Sequence, residues 1–322
     1  VALKHNLKRV RECAPKSKIC SVIKANAYGH GAVQVANALN ASDAFGVASV
    51  EEAIELREAG FKQPIVLLEG VFEASELHSV AKYNLQTVIH SEQQIVWFEQ
   101  YSASKNLSVW LKIDTGMHRL GITAARTKLN WQRLIDCGIS EQNIRFMTHF
   151  ARADERDNAM TENQILLFEQ SIHGIAGEYS MANSAGIMAW PKSHGHWVRP
   201  GIMLYGVSPF TDTTGPQEAL LPVMSLSSVI IAVRQLKAGD SVGYGQSWTC
   251  TEDMPIAIVA IGYGDGYPRH APSGTPVMVN GTRTQITGRV SMDMLTIDLR
   301  PSTQAKVGDK VILWGDGLPV EE

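Results

Sequence analysis

Ile19-Cys20-Ser21-Val22-Ile23-Lys24-Ala25-Asn26-Ala27-Tyr28-Gly29-His30-Gly31 is the stretch around which the chain is organised. Ile19 to Ile23 reads as a short buried strand that stops abruptly at Lys24. The chain then passes through a turn rich in Gly, Asn and Tyr into a helix beginning near Ala32. Desolvation at the end of an apolar strand favours the neutral form of an amine, and a neutral amine attacks carbonyl carbons. Schiff-base chemistry is therefore open to Lys24. The alternative is a lysine that snorkels out where the strand meets solvent.

Outward from this strand, short apolar runs alternate with helical patterns up to about residue 205, as in repeated β-α units around a parallel sheet. Ala2 to Cys13 reads as a helix. Ala32, Val35, Ala36 and Leu39 share one helical face. Ala44 to Ala48 is strand-like, and Ser49-Val50-Glu51-Glu52 supplies a capping box for the next helix. Ile65 to Leu68 and Thr87 to Ile89 follow, with Ser91 and Gln94 capping a helix through Phe98. Further units come at Leu107 to Ile113, at Ile144 to Phe150 and at the turn around Asn183-Ser184, with a last apolar patch at Gly201 to Tyr205. So many repeats without a break between halves favour an N-terminal (β/α)8 barrel, with an open sheet and switch-point crevice as the alternative.

Beyond the turn-rich Thr211-Asp212-Thr213-Thr214-Gly215-Pro216 the texture becomes β-rich, with strand-like runs at Ser227 to Val233, Ile256 to Ile261, Pro276 to Val279, Thr284 to Ile286, Met294 to Leu299 and Lys310 to Leu313. The expected division is a barrel over 1–216 and a C-terminal β domain over 217–322.

Composition narrows the partners. The 322 residues are 44% apolar and 19% charged, as in an ordinary globular chain, and the net charge of -3 gives no reason to expect nucleic acid or an anionic membrane. No apolar run approaches a membrane span. Cys13, Cys20, Cys137 and Cys250 are scattered and form no Cys/His cluster, which argues against a metal site and suits a reducing, cytoplasmic setting. The chain opens at Val1 inside a helical pattern, so the lack of a signal peptide carries little weight.

Several other strings carry chemistry. Leu111-Lys112-Ile113-Asp114-Thr115-Gly116-Met117-His118-Arg119-Leu120-Gly121 places two cations around a strand end. Arg119 suits a carboxylate or oxyanion, or else pairs with Asp114. His149, in Met147-Thr148-His149-Phe150, ends a strand and reads alone as a core histidine. Met181-Ala182-Asn183-Ser184-Ala185-Gly186 offers a hydroxyl and free amides where a helix starts, suited to phosphate or simply an N-cap. In His196-Trp197-Val198-Arg199-Pro200-Gly201-Ile202, the Pro-Gly pair lets the Gly201 and Ile202 amides approach an anion. Tyr244 and Tyr263 each lie among glycines, in Ser241-Val242-Gly243-Tyr244-Gly245 and Ile261-Gly262-Tyr263-Gly264-Asp265, where a tyrosine packed on a hairpin turn is the default reading. Gly288-Arg289-Val290-Ser291-Met292-Asp293 completes the set.

Together and in this order, these strings resemble the alanine racemases along nearly the whole chain. The resemblance implies a pyridoxal 5'-phosphate (PLP) enzyme that interconverts L- and D-alanine, supplying D-alanine for peptidoglycan. It implies that Lys24 holds the cofactor and is one base, that Tyr244 is the other, and that Tyr28, Asn183, Ser184, Gly201 and Ile202 hold the cofactor, most of them at its phosphate. Arg199 would face the pyridine nitrogen, supported by His149. Arg119 and the Met292 amide would orient the substrate, Lys112 would be carbamylated, and Tyr263 and Arg289 would line the entrance. A homodimer is implied, with Tyr244 coming from the partner subunit. A permanent cation facing the ring nitrogen resists its protonation, so the ring becomes a weaker electron sink and reprotonation should win over transamination. One family feature, a phosphate-binding tyrosine after the Leu313-Trp314-Gly315 segment, is missing from these 322 residues. A barrel-type PLP decarboxylase is the rival enzyme, but the chain has no Gly-Gly pair for that family's phosphate loop, and Arg199 replaces its acidic partner. A non-catalytic PLP carrier is the other alternative.

Overall fold

The structure, a computed structural model, describes residues 1–101 and 103–322. It divides into two compact units, Val1–Leu221 and Pro222–Glu322. The boundary expected at 216/217 falls in a short 3-10 turn, Pro216–Glu218, within the first unit.

In the first unit, α1 (Ala2–Cys13) precedes eight parallel strands: β1 (Lys18–Val22), β2 (Ala44–Val47), β3 (Ile65–Leu67), β4 (Gln86–Ile89), β5 (Ser108–Asp114), β6 (Ile144–Met147), β7 (Tyr179–Ser180) and β8 (Trp197–Val198). Each pairs with the next in sequence, and β8 pairs back onto β1 through Lys18 with Trp197 and Ile19 with Val198. That closure excludes the open sheet. The connecting helices are α2 (Ala32–Ala38), α3 (Val50–Glu58), α4 (Glu76–Lys82), α5 (Glu92–Gln100), α6 (Thr127–Asp136), α7 (Ala159–Ile172) and α8 (Ser184–Ala189).

The strand period of two sorts side chains into two cores. Cys20, Ala44, Val66, Val88, Trp110, Met147 and Trp197 form one cluster, which the alternation places inside the barrel. Their neighbours Ile19, Phe45, Leu67, Ile89, Leu111 and Phe146 belong to the larger cluster shared with the helices. Each Val, Leu, Ile, Phe or Met side chain among them contributes about 1.5–3 kcal/mol when removed from water.

Some local expectations fail for identifiable reasons. The last two strands, β7 and β8, are only two residues long and leave no apolar run to read, whereas the patch at Gly201 to Tyr205 is a 3-10 turn, Ile202–Tyr205. Ser91 does cap α5 by accepting the Gln94 N–H at 3.3 Å, but Gln94 Oε1 turns to the His90 amide instead of closing a box. Ser49 makes no side-chain cap on α3. Glu52, expected to complete that box, accepts instead from the Ala48 and Ala25 amides.

The second unit is a closed six-stranded barrel of β9 (Leu226–Leu236), β10 (Met254–Val259), β11 (Pro276–Val279), β12 (Thr282–Thr287), β13 (Leu295–Asp298) and β14 (Lys310–Trp314), in the order β9-β10-β13-β12-β11-β14. All its neighbours are antiparallel. Ile230, Val259, Val277, Ile286, Ile297 and Val311 fill its core. A small hairpin, Ser241–Val242 with Trp248–Thr249, carries Tyr244 in its loop.

Candidate active site

The C-terminal ends of the parallel strands open on a cavity of about 680 Å³ lined by Lys24, Tyr28, Lys112, Arg119, His149, Asn183, Ser184, Arg199, Gly201 and Ile202. Every first-unit residue singled out in the sequence reaches this one space.

Lys24 follows β1, and the backbone beyond it is unusual. Ala25, Asn26, Ala27 and Tyr28 have φ of 53°, 52°, 54° and 55°, a complete left-handed turn built without glycine. Such a turn costs about 1–2 kcal/mol per residue, and strain of this kind clusters where geometry serves function. The Ala27 N–H donates to Ile23 O and the Gly29 N–H to Ala25 O, while Asn26 Oδ1 accepts from the Ala32 amide and so starts α2. The result presents both the Lys24 amine and the Tyr28 phenol to the cavity.

Lys24 is partly exposed, and its Nζ lies 3.1 Å from Glu69 Oε1. The desolvated amine of this cavity is a different one. Lys112 on β5 is buried, and burial, reinforced by the charges of Arg199, Arg119 and Lys24, brings its pKa down to about 8. The neutral form of Lys112 is thus accessible near physiological pH, as carbamylation of an amine requires.

Arg199 lies just beyond β8, fully enclosed, with its pKa lowered to about 10 by burial. Its guanidinium donates to Ser180 Oγ at 2.6 Å, to the Thr148 carbonyl at 2.5 Å and to the Met181 carbonyl at 3.4 Å, and it lies 3.5 Å from His149 Nδ1. These partners are all neutral. Burial and the Arg199 charge push the His149 pKa down to about 3, so the imidazole is neutral and can accept from the guanidinium.

At the other side of the cavity, Ser184 Oγ accepts from the amides of Gly201 at 3.0 Å and Met203 at 3.3 Å. Asn183 caps α8 through Oδ1 to the Gly186 amide. A Cβ at position 201 would lie 2.5 Å from the Tyr28 hydroxyl, so only glycine lets backbone and phenol converge there. Tyr28 stacks on Tyr205 with ring centroids 4.5 Å apart, and burial raises its pKa.

Arg119 follows β5 on a loop shaped by Asp114. The Gly116 and His118 amides donate to Asp114 Oδ1, and His118 Nδ1 lies 3.2 Å from Oδ2, so Asp114 organises the loop while Arg119 faces the cavity.

In the second unit, Tyr244, Tyr263, Arg289 and Met292 line a separate cavity of about 1050 Å³, together with Arg269, His270 and Asp293. The Tyr263 and Gly264 amides donate to the Ser291 and Met292 carbonyls, which binds two of the quoted strings into one surface. Gly262 is required there, because a Cβ would run into those carbonyls. Tyr244 is 72% exposed and does not pack on its turn as a structural tyrosine would.

Glu69, Thr148 and Ser180 escaped the sequence reading. Glu69 carried a usable signal, since an acidic residue directly follows the apolar run Ile65 to Leu68. The next residue is Gly70, at φ +77°, where any side chain would strike the Val88 carbonyl. Thr148 acts through its backbone and Ser180 through a hydroxyl with no distinctive spacing, so neither had a signal.

A lysine-centred cavity at the C-terminal mouth of a parallel barrel, in a chain that continues into an antiparallel barrel, defines a class of two-domain barrel enzyme. Residues 1–209 match the family model "Alanine racemase, N-terminal domain" and residues 223–322 match "Alanine racemase, C-terminal domain". The chain is 52% identical over 321 residues to a biosynthetic alanine racemase of Escherichia coli O6:H1, covering 99% of this chain and 89% of that one. Among solved structures, the biosynthetic alanine racemase of Pseudomonas aeruginosa superposes with a TM-score of 0.95 at 44% identity, over 99% of this chain and 89% of that one. The alanine racemase of Acinetobacter baumannii gives 0.91 at 43%, over 98% and 88%. This chain belongs to the alanine racemase family. Among the described residues, no helix is long and apolar enough to cross a membrane.

Proposed function

We propose that the protein is a PLP-dependent alanine racemase that interconverts L- and D-alanine, a cytoplasmic source of D-alanine for peptidoglycan. The observation that carries this reading is Arg199, a buried cation whose partners are all neutral, in one cavity with the Lys24 amine.

The residues fit the cofactor. Lys24 would supply the primary amine that holds it covalently. Ser184, Tyr28, Gly201 and the Ile202 amide would cradle its phosphate, the Gly201 amide holding Ser184 Oγ in place and Asn183 fixing the helix that carries Ser184. When bound, PLP draws electrons from the substrate's α-carbon and makes its proton removable. Arg199 would face the ring nitrogen without readily giving it a proton, which would keep that withdrawal modest, and neutral His149 would steady the guanidinium. Arg119 would grip the substrate carboxylate, helped by the Met292 amide, which shares its surface with Tyr244 and would come with it from a second copy of the chain; a carbamylated Lys112 would replace a like charge beside Arg119 with an anion that orients it.

Once the substrate's own amine has replaced Lys24 on the cofactor, the freed Lys24 Nζ would take or return the α-proton on one face, and the Tyr244 phenolic oxygen would do so on the other. Two bases on opposite faces explain why both enantiomers are substrates. Tyr244 would be supplied by a second copy of the chain in a homodimer; its exposure in the hairpin loop supports that arrangement. Tyr263 and Arg289 would line the substrate's entrance. The test is incubation of purified protein with either enantiomer of alanine in heavy water. Interconversion with deuterium at the α-carbon is expected, and retention of the α-proton with PLP bound would overturn the reading.

A further inference from the structure

Glu52, on the first turn of α3, lies outside the strings that define the site, yet its carboxylate bridges two strand ends. Oε1 accepts from the Ala25 N–H at 2.6 Å and the Asn26 N–H at 3.4 Å, and Oε2 accepts from the Ala48 N–H at 2.7 Å. Ala25 and Asn26 open the left-handed turn, and the first amides of any helical turn have no acceptor within it. Ala48 directly follows β2. One side chain thus ties the start of the strained segment to the end of the neighbouring strand. Ala25 and Asn26 are exposed, so packing does not hold them left-handed.

We infer that Glu52 is a positioning residue: by accepting the Ala25 and Asn26 amides it holds the left-handed turn and thereby sets Lys24 and Tyr28 at the cavity. This rests on the functional reading only in what the turn is for. Without the carboxylate, two amides lose their acceptor while the positive-φ cost remains, so the turn relaxes toward right-handed or extended backbone. The lysine and the phenol then lose their common aim.

The test uses the full chain without cofactor, as wild type, Glu52→Ala, Glu52→Gln, and Glu52→Ala combined with Ala25→Gly. Amide hydrogen exchange of the peptide spanning residues 24–31 reports the turn, PLP uptake followed by visible absorbance reports its use, and the thermal midpoint reports global stability. Glu52→Ala should speed exchange in that peptide roughly tenfold to a hundredfold, as expected for loss of a hydrogen bond to a charged acceptor, and should weaken PLP uptake by a similar factor. Glu52→Gln, which keeps one acceptor oxygen, should fall between. Ala25→Gly should recover part of the uptake in the Glu52→Ala background, because glycine enters the left-handed region without steric cost. Unchanged exchange in Glu52→Ala, no recovery by glycine, or uptake that merely follows the thermal midpoint would overturn the inference. If wild type takes up no PLP while Glu52→Ala still exchanges faster, the inference stands and the cofactor reading falls.

Discussion

The two ends of the parallel barrel are built from the same strands and treat charge in opposite ways. At the N-terminal end, Glu178 receives Lys18 at 2.7 Å, Arg145 at 3.0 Å and the Trp197 indole N–H at 2.8 Å. Lys18 also sits over the Trp197 ring and Arg145 over the Trp110 ring, while the Trp110 N–H donates to Gln86. Burial opposes the Glu178 charge, but the Lys18, Trp197 and Arg145 hydrogen bonds prevail and hold its pKa near 2. At the C-terminal end, Lys112 and Arg199 are both buried, the Arg199 charge opposes that of Lys112, and the backbone after Lys24 is left-handed. One end answers its charges and closes the barrel. The other stores cost, as a site does when an incoming anionic group is to supply what the protein leaves out.

The largest effect should come from Lys24→Ala, which would remove the proposed attachment point. The visible absorbance of covalently held PLP and all racemisation should vanish while the thermal midpoint stays near wild type; persistence of the absorbance would move the attachment site elsewhere. Tyr244→Phe comes next. It should slow α-proton removal from one enantiomer by on the order of 10² to 10⁴ and from the other much less, and equal small losses for both would remove Tyr244 from the mechanism.

Lys112→Met should raise stability, which sharpens the contrast between the ends. Its folded pKa of about 8 lies below the ordinary 10.5. The burial cost is therefore full below pH 8, fades between pH 8 and 10.5, and is absent above. The variant should gain about 3 kcal/mol at pH 7 in carbon-dioxide-free buffer, with no gain left near pH 11, as read by denaturant unfolding.

Glu178→Gln should do the reverse. The depressed pKa stabilises the fold above pH 4.5, and that contribution disappears as pH falls toward 2. The variant should lose about 2 kcal/mol at pH 7 and nothing near pH 2, with PLP uptake unchanged. A loss of uptake would break the division of labour between the ends. The smallest effect is expected from Glu69→Gln. Freed from the carboxylate 3.1 Å away, Lys24 in cofactor-free protein should react severalfold faster with an amine-acylating reagent, measured by peptide mass spectrometry.

The sequence by itself determined the β-α alternation, the six β-rich runs after residue 217 and the neighbourhoods of Lys24, Arg119, Arg199 and Tyr244. These are local properties: period-two burial, turn residues, and strings whose members lie close together in the chain. Tertiary structure alone decided the rest. Strands as short as Tyr179–Ser180 exist only because flanking strands supply their hydrogen-bond partners. Glu52 left its own helix cap for the Ala25 amide because that amide has no partner within its left-handed turn. Desolvation fell on Lys112 and not on Lys24, since burial depends on which side of a closed barrel a residue meets and on what crowds it there. Those outcomes depend on neighbours distant in the chain, and no local pattern encodes them.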